Sequence, residues 1–124
     1  MSHDFKKLEV FHMADQLVVD VYRVTLTLPV EERYGLQAQL RRASVSVPSN
    51  IVEGSARESN KEYAHFLRIA CGSASEARYL FSVARRLAYL EMTVAKTYED
   101  RFDRVVRALE VLAQRVAASV ERGN

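Results

Sequence analysis

The chain has no tryptophan, one cysteine, two prolines and four glycines in 124 residues. Each shortage excludes something. A lone Cys71 cannot form an internal disulfide, which argues against a disulfide-stapled secreted scaffold and sets the expectation of a reducing, cytoplasmic location. So few prolines and glycines leave little material for the turns of a sandwich or barrel and favour long uninterrupted helices. No apolar run approaches the ~18 residues of a membrane span. The opening Met1-Ser2-His3-Asp4-Phe5-Lys6-Lys7 is followed by no apolar signal segment, so neither export nor a membrane partner is expected. The length suits one hydrophobic core, hence one domain over 1–124.

What is present is helical periodicity. In a first helix at about 9–28, Ala14, Leu17, Val21, Thr25 and Leu28 fall on one face, and Pro29 stops it. A second runs from about 31 to 57, with Glu31 and Glu32 at its positive end and Gly54 as a weak point. Ser59 and Glu62 form an S-x-x-E capping box that opens a third helix at about 60–89. Thr93 is the expected cap of a fourth at about 93–118, with the stripe Val94, Tyr98, Phe102, Val105, Leu109, Leu112 and Val116. The tail from Ser119 to Asn124 is expected to fray. Four amphipathic helices on short loops imply an all-α, antiparallel up-down-up-down four-helix bundle.

The second helix keeps a proline in its interior, where it removes a backbone donor at a cost of about 3 kcal/mol. Its core stripe is Leu36, Leu40, Ala43, Val47, Ile51 and Gly54. Val45, Pro48, Val52 and Ala56 make a second apolar stripe on a nearly opposite face, and a polar stripe including Arg42, Ser46, Ser49, Asn50 and Glu53 lies between. The third helix pairs a core face (Tyr63, Phe66, Leu67, Ala70, Ala74, Ala77, Phe81, Ala84, Ala88) with a mixed flank. A second apolar face on a surface helix implies a partner, and closed homo-oligomers are common. The expected subunit interface is Arg42, Val45, Ser46, Pro48, Ser49, Asn50, Val52 and Glu53 with Ile69, Ser73, Glu76, Leu80 and Val83. Because a short loop makes the second and third helices antiparallel neighbours, the polar stripe should meet the mixed flank, with an Arg42–Glu76 pair as the sharpest contact and Asn50 and Glu53 near Glu62 and His65.

Charge is uneven. Residues 41–90 carry eight basic and four acidic side chains, whereas 91–124 carry six of each and 1–40 are net acidic; arginine supplies fourteen of the eighteen cations. Arg41, Arg57, Lys61, Arg68, Arg78, Arg85 and Arg86 are the candidate phosphate contacts for a salt-dependent, sequence-indifferent nucleic-acid binder. The alternative is a structural scaffold that recognises a protein partner and pairs its arginines between subunits. A continuous basic surface would favour the first, and neutralised pairs the second.

Catalytic and metal chemistry find little support. Glu62-x-x-His65 has the spacing of a di-iron bundle motif, but it occurs once and flanks the core stripe, so a cap and an exposed histidine are the simpler reading. Cys71 has no paired histidine or resolving cysteine. Ser44, Ser46 and Ser49 surround Pro48, where their expected role is to satisfy backbone groups. No Ser-His-Asp order and no phosphate-binding glycine loop is present. No enzyme, cofactor or metal is expected.

The run Gln39-Leu40-Arg41-Arg42-Ala43, then Ser46-Val47-Pro48-Ser49-Asn50-Ile51-Val52-Glu53-Gly54, then Phe66-Leu67-Arg68-Ile69-Ala70-Cys71-Gly72-Ser73 with Glu76, resembles the 23S rRNA-intervening sequence protein family. These are bacterial four-helix-bundle proteins related to the accessory variability proteins of diversity-generating retroelements. The resemblance extends from about Phe5 to Val116, with Phe11 standing where members usually carry tryptophan. It implies a homopentameric ring and no catalytic site. The retroelement relatives use a strongly basic ring on nucleic acid, which tips the expectation slightly toward nucleic-acid binding.

Overall fold

The structure, a computed structural model, describes residues 3–123. Among them are four α-helices and no strand: α1 Glu9–Val24, α2 Leu36–Ser55, α3 Asn60–Arg86 and α4 Met92–Glu121. Three single 3-10 turns stand outside them, at Phe5–Lys7, Thr25–Thr27 and Val30–Glu32. The architecture is a four-helix bundle. Among the described residues, no helix is long and apolar enough to cross a membrane.

The 3.6-residue periodicity places the core. Ala14, Leu17 and Val21 of α1, Leu40, Ala43, Val47 and Ile51 of α2, and Phe102, Val105 and Leu109 of α4 are all buried. The interface between α3 and α4 is the most extensive in the bundle. Ala70, Ala74, Ala77, Ala84 and Ala95 are buried there, small enough to bring the helices close, and Phe81 stacks on Tyr98 at 4.8 Å between ring centroids. By contrast α1 packs more sparsely on α2 and α4.

Helix ends depart from the periodic reading for local reasons. The α-helical part of α1 stops at Val24 because the threonine hydroxyls that follow turn back on the chain. Thr25 Oγ1 donates to Val21 O at 2.7 Å and Thr27 Oγ1 to Val24 O at 2.7 Å. Leu28, before Pro29, is extended. Helix α2 begins at Leu36, later than expected, because Glu31 and Glu32 belong to a separate turn. The Glu32 carboxylate still serves the helix, accepting from Leu36 N at 2.9 Å, while its other oxygen accepts from Tyr89 OH at 3.2 Å. The Ser59 cap forms as expected, with Oγ accepting from Glu62 N at 3.1 Å.

Thr93 is not a cap. The N-cap of α4 is Glu91, and Thr93, already inside the first turn, donates its hydroxyl to Glu91 Oε1 at 2.9 Å. The tail is more regular than expected, since α4 continues through Glu121; Asn124 lies outside the described residues.

Helix α3 ends at Arg86 instead of near residue 89, and Ala88 is exposed instead of in the core. Ala88 adopts φ 58°, Tyr89 N donates to Ala84 O at 2.9 Å and Ala88 N to Arg85 O at 3.0 Å. This is the Schellman closure that usually carries glycine at its left-handed residue.

Candidate functional site

Pro48 is buried in mid-α2. One turn before it, Ser44 is also buried, and its hydroxyl donates to Leu40 O at 2.7 Å, not to the Ser44 carbonyl that Pro48 leaves without its usual donor. Ser46 does something else: its hydroxyl meets that of Ser73 at 2.8 Å, and Asn50 Nδ2 donates to Ser46 O at 2.7 Å. This polar line stitches α2 to α3.

The expected Arg42–Glu76 pair is not made within the chain; both side chains are exposed without a hydrogen bond or ion pair. The physical reason is proximity. At the end of α2, a Cβ on Gly54 would lie 2.7 Å from the Cβ of Phe66 and 3.1 Å from Tyr63 Cδ1. Helices this close accept serine hydroxyls between them and keep Arg42 and Glu76 outside. Nor do Asn50 and Glu53 reach Glu62 and His65. Glu53 pairs with Arg57 along α2, Glu62 sits at the Ser59 cap, and His65 edges Phe66 at 5.6 Å between ring centroids.

The other interface candidates divide. Leu80 is covered by the chain's own core, a correction to its placement on an outer flank; it stands seven residues after Ser73, on the side of α3 that meets α2. Val45 and Val83 are half-buried, and Ser49 is exposed. Val52 and Ile69 keep 37% and 39% of their surface in solvent.

A groove of about 430 Å³ opens beside these residues, where Phe11, Asp15 and Val18 of α1 face Val45, Pro48 and Val52 of α2. It continues past Val45 into a hollow bounded by Tyr22, Arg41 and Arg42. The α1 contribution was missed, although Phe11, Asp15, Val18 and Tyr22 fall at helical spacings of four, three and four. Gly72, halfway along α3, was also missed as a feature: it is exposed, and a Cβ there would meet nothing within 4 Å.

The candidate phosphate contacts are mostly engaged. Arg78 pairs with Asp103 at 2.6 Å, Arg85 makes a two-pronged contact with Glu99 at 2.9 and 3.3 Å, and Arg57 pairs with Glu53. Arg41 closes the end of α1, donating to Thr25 Oγ1 at 3.0 Å and Tyr22 O at 3.1 Å with its guanidinium over the Tyr22 ring. Arg86 donates to Ser82 O at 3.2 Å. Lys61 and Arg68 make no hydrogen bond or ion pair, and together with His65 they line one shallow concavity.

The Cys71 thiol is half-buried, 3.6 Å from Val106 O. Burial pushes its pKa up, Glu110 adds to the shift and Arg68 opposes it. Arg101 holds the Asp20 carboxyl below the usual carboxylate range, and Arg107 does so for Asp103. These are ion-pair carboxylates on the bundle surface. Among the described residues, no group of three or more His, Cys, Asp and Glu side chains gathers as a metal would require.

The fold and these surfaces define a class: a small four-helix bundle with exposed apolar and charged faces. The 23S rRNA-intervening sequence protein model matches residues 6–111, and the chain belongs to that family. A crystal structure of a protein of unknown function from the S23 ribosomal protein family of Bacteroides thetaiotaomicron superposes with a TM-score of 0.78 at 19% identity. The match covers 85% of this chain and 95% of that one, and it establishes a shared fold. No curated protein matches the sequence.

Proposed function

We propose that this protein is a non-catalytic, antiparallel four-helix bundle that acts by self-assembly, as a scaffold recognising a protein partner. Antiparallel order is supported by pairings that run in opposite senses along α3 and α4: Cys71 to Val106, Arg78 to Asp103, Arg85 to Glu99. The observation carrying the scaffold reading is the state of the cations. Three of the seven candidate phosphate contacts (Arg57, Arg78, Arg85) face carboxylates of their own chain, and Arg41 and Arg86 are held by their own backbone. Engaged cations of this kind release few counterions to a polyanion and leave no continuous basic strip. The number of copies in the family resemblance is five, and a single thiol fits a reducing cytoplasm.

One observation favours nucleic acid as a second reading: Lys61 and Arg68 are free and share a concavity. Repeated around a ring, that pair would form a basic band. Light-scattering mass of the purified protein, alone and with a mixed DNA and RNA pool at ~50 and ~300 mM salt, separates the two. The scaffold reading expects an oligomer whose mass ignores the pool. An oligomer that gains mass only at low salt establishes the second reading, and a monomer overturns both.

A further inference from the structure

We propose that the ridge of α3 centred on Gly72 docks into the α1/α2 groove of a second copy of this chain, joining subunits head to tail. The inference rests on the self-assembly reading and specifies its contact. Three observations carry it.

The first is Gly72 itself. A glycine in an exposed helix interior costs about 0.5–1 kcal/mol relative to alanine. The chain's other helical glycine, Gly54 near the end of α2, has its reason in the root of the Phe66 side chain and the Tyr63 ring beside it, whereas Gly72 has nothing within 4 Å. A missing side chain at such a place suits the close approach of a helix from outside. At ~100° per residue, Arg68, Ile69, Gly72 and Glu76 share an arc of about 100° on α3, so the approaching element would meet all four.

The second is shape. The groove has an apolar floor of Val18, Val45, Pro48 and Val52, which no element of this chain fills. The ridge offers Ile69 as the side chain to enter it, with Gly72 letting the two backbones close.

The third is charge. The groove carries Asp15 at the level of Pro48 and Val52, and Arg42 some six to ten residues further back along α2, about 9–15 Å away. The ridge carries Arg68 and Glu76, eight residues and about 12 Å apart, with Gly72 midway. None of the four makes a hydrogen bond or ion pair within its own chain. Laid so that Glu76 meets the neighbour's Arg42, the ridge brings Arg68 to the neighbour's Asp15 and Gly72 over the floor between Val45 and Pro48. The opposite orientation sets like charges against each other at both ends.

Ridge and groove are different surfaces, so the contact is heterologous: each copy uses its ridge on one neighbour and its groove on another, and the chain of copies closes as a ring. The test is the light-scattering mass of the full-length protein and of its charge and glycine variants, with helicity by circular dichroism confirming that each subunit folds. Gly72→Leu, Arg42→Glu and Glu76→Arg are each expected to weaken assembly on the order of 10-fold or more. The double variant Arg42→Glu/Glu76→Arg is expected to recover mass, because it restores an opposite-charge pair at every contact. A monomeric wild type overturns the self-assembly reading and this docking with it. A wild type of just two copies overturns the head-to-tail form. A larger oligomer indifferent to all of these variants overturns the docking alone.

Discussion

Gly54 and Gly72 sit in neighbouring helices, the first one residue from the end of α2 and the second halfway along α3, and their surroundings differ completely. Gly54 lies where α2 crosses α3, and a Cβ there would collide with the Cβ of Phe66 at 2.7 Å; Gly72 lies on the far side of α3 against open space. The first glycine is explained by the fold of a single subunit. The second is not, and it stands among exposed Ile69 and unpaired Arg68 and Glu76. A residue that helix propensity disfavours, with no reason inside the chain, directs attention to whatever lies outside it.

The largest expected effect tests the first half of that contrast. Gly54→Ala inserts a methyl where there is no room, and the neighbour is the root of a side chain on a packed helix, which cannot swing away. Overpacking of this kind costs about 1–3 kcal/mol. Chemical denaturation should show that loss with little change in slope. An unchanged midpoint would mean that α2 and α3 are not held this close.

Next comes the position where a glycine is absent but the backbone asks for one. Ala88 holds φ 58° in the closure of α3, and the left-handed region costs an L-residue about 1–2 kcal/mol. Ala88→Gly should therefore stabilise the subunit by roughly 1 kcal/mol, offset in part by the added freedom of the unfolded chain. A rise in melting temperature checks it. Gly72→Ala is the smaller counterpart, expected to raise subunit stability by about 0.5–1 kcal/mol. Measured at concentrations low enough to keep the protein monomeric, it isolates helix propensity from assembly. A loss of stability there would show that Gly72 has an internal role after all.

The core was legible in the sequence because it depends only on period: the expected stripes of the first and second helices, from Ala14 to Leu28 and from Leu36 to Gly54, are buried throughout. Helix ends were less legible because they depend on partners remote in sequence. Glu32 looks like a first-turn residue until Tyr89 is seen to hold it, 57 positions away. Ala88 continues the core period of α3, but the chain turns before reaching it. Arg42 and Glu76 were expected to meet between the second and third helices, yet helix separation decided that Ser46 and Ser73 would meet there instead. No periodicity reports separation. The groove was half legible: Val45, Pro48 and Val52 stood out as a second stripe on α2, whereas the matching α1 stripe was hidden behind the stronger core pattern of Ala14, Leu17 and Val21.

That groove requires α1 to keep its place while packing only sparsely, and polar ties help to hold it. Asp20 of α1 accepts from Arg101 of α4 at 2.8 Å and from Gln16 at 3.1 Å, and Tyr98 OH donates to its carbonyl at 3.3 Å. The bond from Arg101 is the main reason that the Asp20 carboxyl titrates below its ordinary value; burial works against the shift, and Gln16 and the charge of Arg23 add to it. A carboxylate depressed in the folded state contributes stability above its unfolded pKa of about 3.9, and that contribution is lost as pH falls through the lower folded value. Asp20→Asn should thus destabilise the subunit at neutral pH, by under about 1 kcal/mol because the pair is partly exposed. The same variant should flatten the acid limb of the stability curve below about pH 4. Asp103→Asn is the control, since its carboxyl is depressed in the same direction by Arg107 and Arg78 but lies on the α3/α4 side. If Asp20→Asn alone also widens hydrogen exchange along α1, the groove wall is held by this tie. If both variants change only the acid limb, α1 is held by Ala14, Leu17 and Val21, and the groove is as rigid as the rest of the bundle.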